Sequence, residues 1–489
     1  MKKTLLCLCL LAFTLFQTQA QSLKSPDEFL GYKLGTRFTP NYKVVDYYEY
    51  VTNQLSNAKI HQYGQTNELR PLVAAIVSSQ ENIDNWETIR TDNLKRAKLM
   101  EGEPSGKKIG IVWLSYNVHG NEANSTETAM KTLYEIARPD NSTSREWLKN
   151  TVVIFDPCIN PDGRDRYSNW INQVAGTTAN PNPEAVEHNE PWPGGRANHY
   201  LFDLNRDWAW QTQVESQQRM KFYNTVMPHI HVDFHEQGSN SPYYFAPAAE
   251  PIHDQVTQWQ RDFQEIIGKN HAKYFDENGW LFFTKESFDL LYPSYGDSYP
   301  MYNGAIGMTY EQGSSDLAIL TAEGDTLKLE DAIAHHYTTG MSTVETASKY
   351  SEKMVDEFGN FFNKAVSNPK AKYKTYIVRG TNHPDKLKNL TDFLDNQKIV
   401  YGIGSSSKAV SSFNYLTGKN ENAGVQNGDI IISTFQPKAV LVQAFFEPNT
   451  FASTSDTYDI TAWAVPYMMG LDAYATETKM DVKLAKYTK

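Results

Sequence analysis

Ile109-Gly110-Ile111-Val112-Trp113-Leu114 is an apolar run that leads, through a short connection, to His119-Gly120-Asn121-Glu122. A short continuous apolar run of this kind is typical of a buried strand. A histidine and a glutamate three residues apart, on the loop that leaves such a strand, can both reach one cation. Zinc accepts an imidazole nitrogen together with a carboxylate oxygen, so this stretch predicts two ligands of a metal site.

A third ligand is available at the end of another predicted strand, Ile230–Phe234, which His235 directly follows. His229 and His231 compete for the same role. Because alternate side chains of a strand share a face, His231 and His235 lie on the same side, and geometry alone does not choose between them. Two histidines, a glutamate and one open position are typical of a hydrolytic zinc site.

The wider pattern of apolar segments indicates an α/β fold. Helical spacing separates the strand segments, which predicts a mixed, mostly parallel sheet with helices on both faces. The predicted strands are Ile109–Tyr116, Thr151–Phe155, Ile230–Phe234 and Ala305–Tyr310, and the helices between them include Ser125–Ala137 and Ile252–Asn270. Active sites of such folds gather at the carboxyl ends of the strands. His119, Asn160, His235 and Glu311 each follow a strand, so we expect them to lie close together.

Four further stretches accompany the His-x-x-Glu pair, which occurs once in the chain. They are, in order, Asn160-Pro161-Asp162-Gly163-Arg164, Phe202-Asp203-Leu204-Asn205-Arg206-Asp207-Trp208, Asp233-Phe234-His235-Glu236 and Met308-Thr309-Tyr310-Glu311-Gln312-Gly313. In identity, order and spacing the series resembles the zinc carboxypeptidase family, the group that contains carboxypeptidase A. The resemblance spans roughly residues 40 to 350 and rests on five motifs in register, since each motif alone is weak.

The resemblance implies a role for each matching residue. His119, Glu122 and His235 would hold one Zn²⁺ per chain, because the family pattern ends its strand in Asp-x-His. Glu311 matches the family's catalytic glutamate, which acts as general base. Asn205 and Arg206 match the pair that grips the terminal carboxylate of the substrate, a task that suits the planar fork of arginine. Asp203 matches the group that accepts a hydrogen bond from the first histidine and fixes its tautomer.

Two family roles transfer less directly. The arginine that stabilises the oxyanion lies, in the family, between the Asn-Pro-Asp-Gly stretch and the Asn-Arg pair; the candidates here are Arg164, Arg166 and Arg196, and Arg196 is preferred because it is nearest to Asn205. The tyrosine that covers the substrate precedes the catalytic glutamate by about two dozen residues in relatives of this family. Tyr292 and Tyr295 both qualify, with Tyr292 favoured by spacing. The pocket for the substrate side chain corresponds to residues 296–307, where Asp297 is the only charged residue.

The amino terminus predicts export. Lys2-Lys3 and the apolar run from Leu5 to Phe16 have the form of a signal peptide, and Thr18-Gln19-Ala20 fits a cleavage site before Gln21. No later run is long enough to span a bilayer, so we expect an exported, periplasmic or secreted protein without a membrane anchor after cleavage. Cys158 is then the only cysteine of the mature chain, which excludes a disulfide framework. The net charge of −11 argues against a nucleic-acid partner.

The length of 489 residues favours two domains after the signal peptide. We expect the signal peptide at 1–20, a catalytic domain at 21–367 that closes with two long helices between 330 and 366, and an accessory α/β domain at 368–489. The accessory segment predicts a β-α-β unit (Thr375–Val378, Pro384–Asn396, Ile399–Ile403) followed by two strands, Asp429–Ser433 and Ala439–Gln443. It distantly resembles glutamine-amidotransferase-like domains but contains no cysteine, which excludes amidotransfer by a cysteine nucleophile.

Three functions are compatible with these patterns. The resemblance implies first a metallocarboxypeptidase that removes C-terminal residues from peptides by means of a zinc-activated water. The second alternative keeps the chemistry on another substrate, as a hydrolase of peptidoglycan stem peptides or an amide deacylase; stem peptides also carry a free carboxylate. The third is a non-catalytic binding protein that kept the fold, which the complete ligand set and Glu311 disfavour. The substrate partner is therefore expected to be a peptide or a peptidoglycan peptide.

Overall fold

The computed structural model describes residues 22–480 except 451, 453, 455, 456 and 461. The predicted signal peptide lies outside the described residues. The strands are β1 Ala58–Gln65, β2 Pro71–Val77, β3 Gly110–Tyr116, β4 Thr151–Asp156, β5 Ile230–Gln237, β6 Tyr243–Tyr244, β7 Ala249–Ile252, β8 Phe282–Phe283, β9 Asp289–Leu290, β10 Ile306–Gly313, β11 Ala318–Leu320, β12 Thr326–Lys328, β13 Thr375–Val378, β14 Tyr401–Ile403, β15 Val410–Asn414, β16 Lys419–Ala423, β17 Ile430–Ser433 and β18 Ala473–Thr476.

Helices connect most of these strands. They are Pro26–Leu30, Asn41–Gln54, Gln80–Asp84, Trp86–Arg96, Asn124–Ala137, Ser142–Trp147, Pro161–Val174, Val214–Val226, Gln258–Asn278, Ser298–Tyr302, Leu329–Lys349, Ser351–Ser367, Pro384–Asn396, Ala439–Phe446 and Val465–Met468, with short 3₁₀ turns at Val186–His188 and Leu204–Arg206. Across the described residues, none of the helices combines the length and the apolar character that a bilayer crossing requires.

The larger sheet has eight strands in the order β1-β2-β4-β3-β5-β10-β6-β8. Its centre, β4-β3-β5-β10, is parallel throughout, while β1, β2 and β6 join through antiparallel pairs. The predicted mixed, mostly parallel sheet is therefore confirmed. In the register, Glu311 of β10 pairs with His235 of β5, so two predicted site residues end neighbouring strands at the same edge.

Strands β3 and β4 are apolar on both faces because helices cover both sides of the sheet. Ile111 and Trp113 of β3 enter one hydrophobic cluster, whereas Val112 and Leu114 enter the other. The second of these clusters is closed by helices Asn41–Gln54, Asn124–Ala137 and Leu329–Lys349. This two-sided burial explains why β3 and β4 read as continuous apolar runs and not as alternating patterns.

The smaller sheet follows helix Ser351–Ser367 and has six strands in the order β14-β17-β13-β18-β15-β16. All of its pairings are antiparallel, so it gives no support to the resemblance to an amidotransferase-like fold. The prediction of a strand at Ala439–Gln443 is wrong, because this stretch lies in the helix Ala439–Phe446. An apolar run of this length fits a buried helix as well as a buried strand.

The two sheets share one hydrophobic cluster. Phe393 and Phe445, from helices of the C-terminal unit, lie in the same cluster as Trp113 and Trp208. A hydrogen bond from the Tyr299 hydroxyl to Gln397 Oε1 (2.7 Å) crosses the same boundary. The C-terminal unit is thus packed against the face of the large sheet and can reach its site.

Candidate active site

Three buried side chains converge where the central strands end. His119 Nδ1 lies 2.7 Å from Glu122 Oε1, and His235 Nδ1 lies 2.9 Å from Glu122 Oε2. The two imidazole nitrogens are 3.3 Å apart. One ligand atom from each residue lies within 4.8 Å of the others, so the three can bind one ion. Two nitrogens and one carboxylate oxygen beside an open pocket fit the donor set of a hydrolytic zinc site.

The loop that carries His119 and Glu122 has a specific local cause. Asn117 takes a left-handed conformation, with φ 59°, at the end of β3. Its side-chain Nδ2 donates to the carbonyl oxygens of His119 (2.7 Å) and Glu122 (2.9 Å), which closes the turn. Gly120 has no space for a side chain, since an added Cβ would lie 2.2 Å from the Arg164 backbone nitrogen. The turn therefore aims both ligands into the pocket.

The outer nitrogens of the two imidazoles contact carboxylates. His119 Nε2 lies 3.0 Å from Asp203 Oδ1, and His235 Nε2 lies 3.1 Å from Asp233 Oδ2. The contact between Asp203 and His119 is the one predicted from the sequence. Carboxylates in this position fix the tautomer and leave Nδ1 of each ring free for a metal. Burial alone would raise the pKa of Glu122, but the two imidazoles hold that pKa well below its usual range.

Glu311 lies in the same pocket on the neighbouring strand. Burial raises its pKa to about 8, an effect that His235 opposes and that the carboxylates of Glu122 and Asp233 reinforce. A carboxylate whose pKa is near neutrality is a better proton acceptor than an ordinary one, which is the property that a general base requires.

Of the three candidate arginines, the structure brings Arg196 to the pocket. Its guanidinium donates to Glu122 Oε1 and to Asp203 Oδ2, each at 3.1 Å, and its side chain is half-exposed. Arg164 is buried in an ion pair with Glu127 at 2.6 Å. Arg166 donates to backbone carbonyl oxygens, including that of Gly194 at 2.7 Å. These last two stabilise loops and are not available to a substrate.

Asn205 and Arg206 lie in the 3₁₀ turn that Asp203 caps. The Asn205 carbonyl oxygen Oδ1 accepts from Gly296 N (2.8 Å), and its Nδ2 lies 3.3 Å from His235 Nε2. The Arg206 guanidinium lies over the Tyr295 ring, 4.7 Å from its centroid. Both residues line the pocket, and their role in substrate binding stays a prediction.

The two candidate tyrosines have different positions. Tyr295 lines the pocket beside Arg206. The Tyr292 hydroxyl lies outside the lining, where it accepts from Trp210 Nε1 (2.6 Å) and donates to the Arg206 carbonyl oxygen (3.4 Å). The pocket lining therefore favours Tyr295 over Tyr292, and the covering role itself stays a prediction. Spacing along the chain could not show that the Tyr292 hydroxyl contacts Trp210 and the backbone of Arg206.

The pocket has a volume of about 320 Å³. Sequence reasoning did not assign a role to several of its lining residues, which are Glu236, Gln237, Ser287, Phe288, Asp289, Thr309 and Tyr458. The sequence marked Asp297 only as the charged residue of segment 296–307. Its carboxylate accepts a hydrogen bond from Thr309 Oγ1 (3.0 Å), and burial raises its pKa to about 6. Glu236 could have been noticed, since it directly follows His235. No sequence motif pointed to Tyr458, which belongs to the C-terminal unit and reaches the pocket only through the packing of that unit.

Residues 44–277 match the sequence profile of the family described as zinc carboxypeptidase. This segment, slightly less than half of the chain, is similar to a family of zinc-dependent peptide hydrolases. The matched segment contains the three candidate ligands, Arg196 and the Asn205-Arg206 pair, and it ends before Tyr295 and Glu311. No curated protein matches the chain significantly.

Solved structures of metallocarboxypeptidases are similar to this chain at low identity. A metallo-carboxypeptidase from Burkholderia cenocepacia is 15% identical, with 63% of this chain and 69% of that chain covered and a TM-score of 0.45. Carboxypeptidase A from Helicoverpa armigera is 13% identical, with 70% and 77% covered and a TM-score of 0.43. A Pseudomonas aeruginosa metallo-carboxypeptidase in complex with (2-guanidinoethylmercapto)succinic acid is 12% identical, with 65% and 68% covered and a TM-score of 0.40.

Proposed function

We propose that this protein is an exported zinc metallocarboxypeptidase that removes residues from the C-termini of peptides. The observation that carries the proposal is one pocket in which a buried His119–Glu122–His235 cluster, the carboxylate of Glu311 and the guanidinium of Arg206 meet. The cluster supplies a metal site, Glu311 a proton acceptor, and Arg206 a partner for a carboxylate.

Zinc held by His119, Glu122 and His235 would polarise the scissile carbonyl and acidify a water molecule. Glu311 accepts the proton of the attacking water and passes it to the leaving amine. Arg196 donates to the carbonyl oxygen as negative charge develops there, which lowers the barrier more than it stabilises the ground state. Arg206 binds the terminal carboxylate and sets which bond is presented to Glu311.

Replacement of Glu311 by Gln tests the proposal. The amide keeps the shape of the side chain but cannot accept a proton, so we expect the turnover number to fall by about a hundredfold or more while zinc content and peptide binding are preserved. The matched control is Glu323→Gln, a change of the same kind at an exposed turn. Mass spectrometry of peptide digests gives the rate, and metal analysis gives the zinc content. Retention of more than about a tenth of the wild-type rate would assign the base to another group.

The second candidate is a peptidoglycan stem-peptide hydrolase or amide deacylase with the same site, and one observation favours the amide deacylase, which needs no free carboxylate in its substrate. Arg206 pairs with the carboxylate of Asp459, so this edge of the pocket is not open to a substrate carboxylate in this conformation. A screen of C-terminally diverse peptides beside purified muropeptides separates the two candidates. Release of single C-terminal residues supports the carboxypeptidase, and cleavage confined to muropeptides or small amides supports the alternative.

Export is supported by the signal-like segment at residues 1–20. A mature amino terminus at Gln21 in protein recovered from outside the cytoplasm is the expected result. An intact Met1 in protein recovered from the cytoplasm would contradict export.

A further inference from the structure

The edge of Arg206 that suits a carboxylate already has a partner within the chain. Arg206 Nε and Nη2 donate to the same oxygen of Asp459, at 3.0 and 2.8 Å. Nη1 lies 3.7 Å from Asp203 Oδ2. Since the donors of a guanidinium are fixed in one plane, a substrate carboxylate can use the Nε–Nη2 edge only after Asp459 has left it. The Arg206 side chain is 24% exposed and that of Asp459 is 41% exposed, so the pair lies at the mouth of the pocket.

Asp459 is held in this place by its neighbours in the C-terminal unit. The backbone nitrogen of Tyr458 donates to Asp289 Oδ2 at 2.7 Å, and the Tyr458 ring packs against Phe288 with ring centroids 5.4 Å apart. Further along the chain, Trp463 Nε1 donates to the Ala444 carbonyl oxygen at 2.8 Å. These contacts hold Tyr458 before Asp459 and Trp463 after it. The pairing with Arg206 is therefore part of the packing between the C-terminal unit and the pocket.

An intramolecular carboxylate competes strongly with a substrate in solution. A group tethered near its partner acts at an effective concentration in the millimolar range or above, which no dilution reduces. A peptide with a free terminal carboxylate must displace Asp459 before it gains the charge-assisted bonds of Arg206. An amidated peptide makes no such bonds and is not affected by the competition.

We propose that Asp459 is a specificity-determining residue that competes with the terminal carboxylate of the substrate for Arg206. The inference rests on the proposed carboxypeptidase function and adds the C-terminal unit to it. Asp459 raises the KM for free-acid peptides. It thereby reduces the difference in KM that Arg206 creates between these peptides and peptides without a terminal carboxylate. The C-terminal unit thereby sets how strongly the enzyme prefers peptides with a free terminal carboxylate.

The test compares Asp459→Asn, Asp459→Ala and the full-length wild-type protein on one peptide in free-acid and amidated forms. We expect each variant to lower the KM for the free acid by about five- to tenfold, the scale of a partly exposed charge-assisted pair, with kcat nearly unchanged. The KM for the amidated peptide stays constant. Asp385→Asn is the matched control, because it makes the same change on an exposed helix of the same unit. In an Arg206→Ala background, Asp459→Asn should no longer lower the KM for the free-acid peptide.

Two results would overturn the proposal. An unchanged KM for the free acid would show that Asp459 does not compete, and an equal improvement for both peptides would show that it acts only as a steric barrier. A binding measurement separates these failures from failure of the proposed function. In a Glu311→Gln background, calorimetry with 3-phenylpropanoate and its amide measures carboxylate binding without turnover: tighter binding of the acid after Asp459→Asn supports the competition even if no peptide is cleaved. Thermal unfolding of each variant verifies that it is folded.

Discussion

The two ends of the pocket are built in different ways. At the metal end, His119, Glu122, His235 and Glu311 are all buried and all follow or end strands of the large sheet. At the recognition end, Arg206 pairs with Asp459, which belongs to the C-terminal unit. The proposed chemistry thus rests on one sheet, whereas the selectivity that we propose rests on the packing of two units. A substitution at the metal end should abolish the reaction, and one at the recognition end should change which substrate is used.

The largest effect is expected at the metal end, for His235→Ala. Loss of one of three ligands should reduce the zinc content from one per chain towards zero and turnover by about a hundredfold or more. The matched control is His231→Ala, four residues earlier on the same strand, where the ring is buried between Trp113 and Trp208. Metal analysis of folded protein checks the ligand set. Stoichiometric zinc in the His235→Ala protein would move the third ligand to His231 or His229.

An intermediate effect is expected at the recognition end, where the two tyrosines separate activity from stability. Tyr295→Phe removes the hydroxyl of a residue that lines the pocket and should lower kcat/KM by about five- to tenfold, the value of one hydrogen bond. Tyr292→Phe removes the acceptor of Trp210 Nε1 and should lower the free energy of unfolding by about 1–3 kcal/mol with little change in kcat/KM. Kinetics and denaturant unfolding of both proteins test this. The reverse pattern would return the covering role to Tyr292.

The difference between the two ends also explains what the sequence could predict. The metal end follows from strands whose carboxyl ends meet at one edge of the sheet, so His119, His235 and Glu311 could be placed together in advance. The role of Arg196 depended on loop packing: a hydrogen bond from Gly120 N to the Arg196 carbonyl oxygen (3.3 Å) brings its loop against the ligand loop. No periodicity encodes such a contact between segments distant in the sequence.

Other features had weak or ambiguous local patterns. Strand β1 was missed because it is an edge strand with mostly partly or fully exposed residues, so it lacks the apolar alternation that marks a half-buried strand. The helix Ala439–Phe446 was predicted as a strand because a short apolar run fits both. Tyr458 and Asp459 lie more than 200 residues from Arg206 in the sequence, and their approach depends on how the C-terminal unit packs.

The smallest effect on activity is expected for a substitution in the packing between the two units, on which the recognition end depends. Lys438 is buried there, and its Nζ donates to Asn303 Oδ1 at 2.6 Å. Burial lowers the pKa of Lys438 to about 7, and Lys398 adds to this effect. Between about pH 7 and its ordinary pKa near 10.5 the folded chain therefore binds fewer protons at this site than the unfolded chain. In that window the free energy of unfolding rises with pH, by up to ~1.4 kcal/mol per pH unit from this residue.

Lys438→Met should remove this contribution. As the pH rises from 7 to 10, the free energy of unfolding of the wild type should therefore increase relative to that of the variant. Denaturant unfolding at several pH values measures the difference. Lys419→Met, at an exposed position of β16, is the matched control and should show no such trend. Parallel pH curves for wild type and Lys438→Met would mean that the lysine keeps its charge in the folded chain. Because the metal end is built without the C-terminal unit, turnover of the Lys438→Met protein on amidated peptides should match that of wild type at every pH where both are folded.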